Sequence, residues 1–158
     1  MRITTKGRYA LRAAIALAKM NKQGSFVSIS SIAESEEISS IFLEQIFVKL
    51  RKAGIVKSMR GPGGGFSFIL PLEKLTIKNI LDAAGEDLSL SFCDKSMHNC
   101  GRVSQCLAHL VMEDVCNIVN KTLSEITLAS LLERKIDLKS ARSVSGLAQY
   151  DKKNAKKR

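Results

Sequence analysis

Three of the four cysteines and both histidines of this 158-residue chain fall within residues 93–109. The donors there are Cys93, His98, Cys100, Cys106 and His109. A thiolate is a soft anionic ligand and a neutral imidazole a borderline one, so such bunching suits a transition-metal centre. A redox thiol cluster is the other chemistry open to these residues. Cys106 and His109 stand three apart where a helical pattern begins, which puts both on one helix face and within reach of one metal ion. Zinc accepts three Cys and one His, but structural zinc sites favour close Cys-x₂₋₄-Cys knuckles, and none occurs here. No Cys-x-x-Cys redox motif occurs either. Cys116 lies further along the same helical pattern and reads as a small core residue.

The elements that must position these donors divide the chain. Residues 7–20 are rich in Ala and Leu at helical spacing, and Arg2, Lys6, Arg8 and Arg12 gather at their start as a phosphate-facing rim. Two shorter helices are predicted next, over 28–36 with Ser28 or Ser30 as cap, and from Ser39 or Ser40 to Ala53. Two helices with a tight connection form a helix-turn-helix, whose second member enters the major groove of DNA. The turn falls on Glu37, so either its geometry is unusual or Glu37 carries a left-handed backbone costing about 1–2 kcal/mol. Residues 55–59 and 66–70 read as paired strands around Arg60-Gly61-Pro62-Gly63-Gly64-Gly65, a hairpin that serves as a wing. No Lys-Ser/Thr follows those glycines, which excludes a P-loop.

Thr76 is placed to cap a helix through Ala84 that Gly85 ends. From Val103 or Cys106 to about Leu123 a longer helix is predicted, with Leu107, Leu110 or Val111, Val115, Ile118 or Val119, and Leu123 on one stripe. Such a stripe suits packing against the same helix of a second subunit. Thr127 caps a last short helix over Leu128 to Glu133. The fold class expected is therefore mainly α with a small β-hairpin: a winged helix-turn-helix domain over 1–75, a donor loop and dimerisation helices over 76–133, and a basic, disordered tail over 134–158.

Charge supports that division. The chain carries a formal net charge of +10, distributed as net +7 over residues 1–75, net −4 over 76–133 and net +7 over 134–158. A basic front suits nucleic acid, an acidic middle does not, and a charged tail is ordinarily solvated. Trp is absent and aromatics make up 5% of residues, which argues against reading single strands by stacking. No apolar run approaches a membrane span and the N-terminus shows no apolar signal region, so a cytoplasmic protein with reduced thiols is expected. A catalytic reading would leave the basic winged half without a purpose, so no enzyme is expected.

Three stretches then carry a resemblance. Met1-Arg2-Ile3-Thr4-Thr5-Lys6-Gly7-Arg8-Tyr9-Ala10-Leu11, Leu43-Glu44-Gln45-Ile46-Phe47 with Leu50-Arg51-Lys52, and Arg60-Gly61-Pro62-Gly63-Gly64-Gly65-Phe66 resemble the IscR-type iron–sulfur cluster regulators, a family that also includes NsrR. The Cys and His set and Ile126-Thr127-Leu128 continue the resemblance, which covers residues 1–133. It implies a homodimeric transcription regulator holding a [2Fe–2S] cluster through Cys93, Cys100, Cys106 and His109. Cluster-donating assembly proteins and double-stranded promoter operators are the partners it implies. DNA contacts would fall on Arg2, Lys6, Ser40, Glu44, Gln45, Lys49 and Arg51, and on Arg60, Gly61, Gly63 and Gly64 of the wing. Ile41-Phe42 stands where the family often has Ser-Tyr, and six residues rather than five separate Cys93 from Cys100. The competing expectation is a zinc-bound or metal-free winged-helix regulator that senses no cluster.

Overall fold

The computed structural model describes residues 3–21, 24–88 and 105–134. Helix α1 spans Thr5–Met20. Thr4 caps it by accepting the Gly7 amide at 3.3 Å. Ala10, Ala13, Ala14 and Leu17 on its inner face are fully buried, and the three small alanines let neighbouring helices come close. Helix α2 (Ile29–Glu36) is capped by Ser28, whose hydroxyl accepts the Ser31 amide at 3.1 Å; of the two serines the sequence offers, Ser28 is the cap. It ends at Glu37 in the left-handed region, at φ 52° and ψ 44°.

Helix α3 (Ser40–Lys52) buries Leu43, Ile46, Phe47 and Leu50, the 3–4 spacing that the sequence predicts. Its N-cap, Ser39, makes no side-chain capping bond, so this helix is held by burial more than by its terminus. Phe47 is fully buried and its ring centroid lies 4.6 Å from that of Phe66. A core aromatic of this kind is worth about 3–5 kcal/mol on truncation to Ala.

Strands β1 (Val56–Met59) and β2 (Gly65–Phe68) form the antiparallel hairpin, with Val56 opposite Phe68 and Met59 opposite Gly65. An isolated bridge joins Val27 to Phe66, with amide-to-carbonyl bonds of 2.9 and 2.8 Å in both directions. That pairing seats the wing on the chain entering α2. A Cβ on Gly65 would fall on the carbonyl of Val27, so this close approach requires glycine. Buried Ser67 accepts from Asn21 Nδ2 at 2.9 Å and donates to the Gly24 carbonyl at 3.2 Å, tying the wing to the end of α1.

A 3₁₀ turn over Leu72–Lys74, which the sequence reading did not anticipate, leads to α4 (Ile77–Ala84). Helix α4 has a full capping box between Thr76 and Asn79, and Gly85 ends it at φ 76°. Ile77, Ile80, Leu81 and Ala84 join the same core as α1 and α3. Helix α5 spans Leu107–Glu125 and α6 spans Leu128–Glu133, the latter with a capping box between Thr127 and Ser130. Ile77 donates to the Ile126 carbonyl at 2.9 Å and Leu128 to that of Leu75 at 2.8 Å, so the starts of α4 and α6 are stitched together. Buried Leu128 completes the core. No helix among the described residues is long and apolar enough to cross a membrane.

Candidate functional site

Burial of Leu43, Ile46, Phe47 and Leu50 turns the opposite face of α3 outward. Ser40, Glu44, Gln45, Lys49 and Arg51 are all exposed there, and so are Ile41 and Val48. The turn that sets the angle between α2 and α3 is held from α1. Arg12 Nε lies 3.0 Å from Glu36 Oε2, and its Nη2 donates to the Glu36 carbonyl. The Arg12 guanidinium also lies 5.7 Å from the centroid of Tyr9, which packs edge-on against Phe42 at 5.5 Å. Arg12 thus organises the turn, whereas Lys6 stands at the start of α1.

The wing presents Arg60, Gly61 and Gly63 exposed and Gly64 half-buried. Gly64 donates to the Gly61 carbonyl at 2.9 Å, closing the tip. Arg51 Nη1 donates to Ser58 Oγ at 3.2 Å, which couples the end of α3 to β1. Lys49 Nζ donates to the Ala84 carbonyl at 3.3 Å, and Lys6 beside it pushes the Lys49 ammonium's pKa below the ordinary lysine value. Exposed side chains from α3, cations from α1 and α3, and a glycine-tipped wing are the parts of a groove-binding surface. Of the residues expected to contact DNA, Arg2 lies outside the described residues.

Glu86, which the sequence reading did not name, is 9% exposed. Its carboxylate accepts from the Thr4 amide at 2.9 Å and from the Thr4 hydroxyl. Burial works to raise its pKa. The Thr4 bonds, the Lys6 charge and the Gly7 amide outweigh burial and hold the carboxyl below the ordinary value. The acidic pair Glu86-Asp87 after a helix-ending glycine looks like solvated surface in sequence, so nothing local marks Glu86.

At the start of α5, Cys106 is the N-cap residue, half-buried, and its side chain makes no capping bond. It is not in a disulfide. The His109 amide donates to the Cys106 carbonyl at 3.1 Å, so both residues share the first turn. The His109 side chain is 12% exposed, with Nε2 3.9 Å from Glu113 Oε2. A thiol uncommitted to capping and a largely buried imidazole in one turn fit the donor set of a metal centre. Cys93, His98 and Cys100 lie outside the described residues, and among those described no group of three or more donors gathers. Cys116 is buried, as a core cysteine should be. Along the rest of α5, Leu107, Leu110, Val111, Met112, Val115 and Ile118 are between 41% and 78% exposed.

Residues 3–134 match the Rrf2 family, described as an iron-dependent transcriptional regulator. A protein of Haemophilus influenzae named for HTH-type transcriptional regulation is 42% identical over 135 residues, covering 85% of this chain and 89% of that one. The HTH-type transcriptional regulator IscR of Vibrio atlanticus is 35% identical over 133 residues, covering 84% of this chain and 76% of its own. The solved structure of T. potens IscR superposes with a TM-score of 0.66 at 30% identity, covering 92% of this chain and 91% of that one. These relatives are named as transcriptional regulators rather than enzymes. With a helix-turn-helix, a wing and this match over most of its length, the chain belongs to the Rrf2 family of winged-helix, DNA-binding transcriptional regulators, and is of the IscR type.

Proposed function

We propose that the chain binds promoter operators as a homodimer and that a [2Fe–2S] cluster, held by Cys93, Cys100, Cys106 and His109, governs that binding. One observation carries the reading: Cys106 and His109 open α5, the helix whose apolar face is left exposed. Donors and subunit contact then share one rigid element. When bound, the cluster supplies a redox-active iron centre whose presence depends on iron supply and oxidants. One imidazole among thiolates lowers the negative charge of the donor set and adds a ligand that protonation releases.

On the DNA side, Ser40, Glu44 and Gln45 read base edges, while Lys6, Lys49 and Arg51 meet phosphates. Arg60 enters the minor groove beside Gly61, Gly63 and Gly64, and Arg2 is assigned to the backbone from its position in the sequence. Residues 1–75 form the DNA-binding unit and 76–133 the donor and dimer unit, in a cytoplasmic protein that takes its cluster from assembly proteins. A two-fold protein matches a palindromic operator, so the exposed stripe of α5 meets its copy.

Anaerobic purification tests the cofactor. Visible absorption with iron and acid-labile sulfide is expected. A colourless protein carrying stoichiometric zinc, or no metal, would end the sensing reading and leave a winged-helix regulator alone. For the fourth ligand, His109→Ala perturbs the spectrum and His98→Ala leaves it unchanged; the reverse pattern would move the assignment to the loop.

A further inference from the structure

Gly7 sits inside α1, where glycine costs about 1 kcal/mol relative to Ala. Glu86 occupies the space that a side chain there would take. A Cβ on Gly7 would lie 2.6 Å from both Cγ and Cδ of Glu86, so the carboxylate is pressed directly onto the first turn of α1. On the outer side of the same corner, Lys6 and Lys49 converge. The Nζ atoms of both lie 3.7 Å from where a Gly85 Cβ would stand. Lys49 already donates to the Ala84 carbonyl at 3.3 Å, at the negative end of α4. Two ammonium groups gathered at one point repel each other, and the Lys49 pKa is pushed down chiefly by Lys6 while Glu86 opposes that push. An anion between the two ammoniums would relieve the repulsion.

We propose that Lys6 and Lys49 bind one DNA backbone phosphate together, and that Glu86 is the positioning residue that holds them on Gly85. The two lysines come from α1 and α3, and the chain segment 84–86 packs against both at this corner. Glu86 fixes the α1 end through Thr4, and Lys49 fixes the α3 end through Ala84. Because Glu86 is buried and its carboxylate is engaged by Thr4, it supports the pair without itself meeting the phosphate. The inference rests on the assignment of this face to DNA.

The test uses mixed-sequence duplex DNA, with affinity read by fluorescence anisotropy over a salt series for the full chain and for Lys6→Ala, Lys49→Ala, the double variant and Glu86→Gln. Neutralising one phosphate contributes a slope of about 0.9 in log K against log salt, or about fivefold in affinity at 0.15 M. If one phosphate is shared, either lysine alone still neutralises it, so each single variant keeps most of the slope and the double variant loses about 0.9 of slope and about fivefold in affinity. A double variant that loses about 25-fold and about 1.8 of slope would show two independent phosphates and overturn the proposal. Glu86→Gln distinguishes positioning from simple charge by sign. Positioning predicts weaker binding by a protein that still melts cooperatively, whereas removal of a negative charge alone predicts tighter binding. Unchanged or tighter binding by Glu86→Gln overturns its role. Should that variant not fold, the lysine cycle still decides. Absence of salt-dependent binding by the unaltered chain is a separate result, which would remove the DNA face itself.

Discussion

Arg12 and Glu36 are joined twice, through an ion pair of 3.0 Å between Nε and Oε2 and through a bond from Nη2 to the Glu36 backbone carbonyl. The first contact links two surface charges. The second satisfies a carbonyl at the end of α2, one residue before the left-handed Glu37. A single guanidinium therefore fixes α1 against the turn that sets the angle between α2 and α3.

Arg12→Ala should lower stability by about 1–1.5 kcal/mol, most of it from the lost carbonyl bond, because exposed ion pairs contribute little. Glu36→Gln should cost about 0.5 kcal/mol or less, since the carbonyl partner remains. Urea unfolding of both variants checks the order; equal losses would show that the ion pair dominates.

Glu37 is the residue other than glycine with positive φ among the described residues. Glu37→Gly removes the left-handed penalty but gives the unfolded chain more freedom, so the net gain is about 0.5–1 kcal/mol. A higher midpoint in urea with an unchanged slope is the expected result. A loss of stability would mean that the Glu37 side chain contributes more than its backbone costs.

Glu86 makes the acid limb of stability steep. Its folded carboxyl lies below the ordinary glutamate value of 4.5, so the folded state favours the charged form. The sign follows from linkage: this contribution is fully present above the ordinary value and is lost as pH falls through the lower, folded one. Below that point both states carry the proton and the contribution is gone. Melting temperature followed from pH 6 downward should fall less steeply in Glu86→Gln than in the unaltered chain. Parallel curves would mean that the carboxylate bonds to Thr4 add nothing in solution.

Ile118 is 64% exposed on α5. In a homodimer joined along that face, Ile118→Asp places a charge in an apolar contact and should raise the dissociation constant by at least tenfold, while a residue this exposed in one subunit should leave its fold intact. Sedimentation equilibrium with circular dichroism separates the two effects. A variant that remains dimeric would move the subunit contact off this stripe.

Much of this molecule was legible because the physics that sets it is local. Ser28, Thr76 and Thr127 cap helices through amides only three residues away, and Gly85 ends α4 by its own backbone freedom. The spacing of Leu43, Ile46, Phe47 and Leu50 selects the buried face of α3, which in turn selects what that helix exposes. Residues 60–65 read as a wing tip because few other folds tolerate so many glycines between paired strands. Cys106 and His109 were likewise visible as neighbours by helical arithmetic alone.

What lay beyond the sequence depends on pairs far apart along the chain. Glu86 and Thr4 are 82 positions apart, Asn21 and Ser67 are 46, and Arg12 and Glu36 are 24. No periodicity links such residues, because neither helical nor strand spacing reaches between separate elements. The bridge from Val27 to Phe66 and the stitch of Thr76 to Thr127 are of the same kind. Sequence alone determined helices α1 to α6, the hairpin and the buried face of α3, but not the 3₁₀ turn over Leu72–Lys74. Tertiary structure decided which cations stay available: Arg12 is committed to a turn, while Lys6 and Lys49 are brought together over Gly85. Charge sums along the chain treat all three alike, and packing, which fixes each side chain against its particular neighbours, separates them.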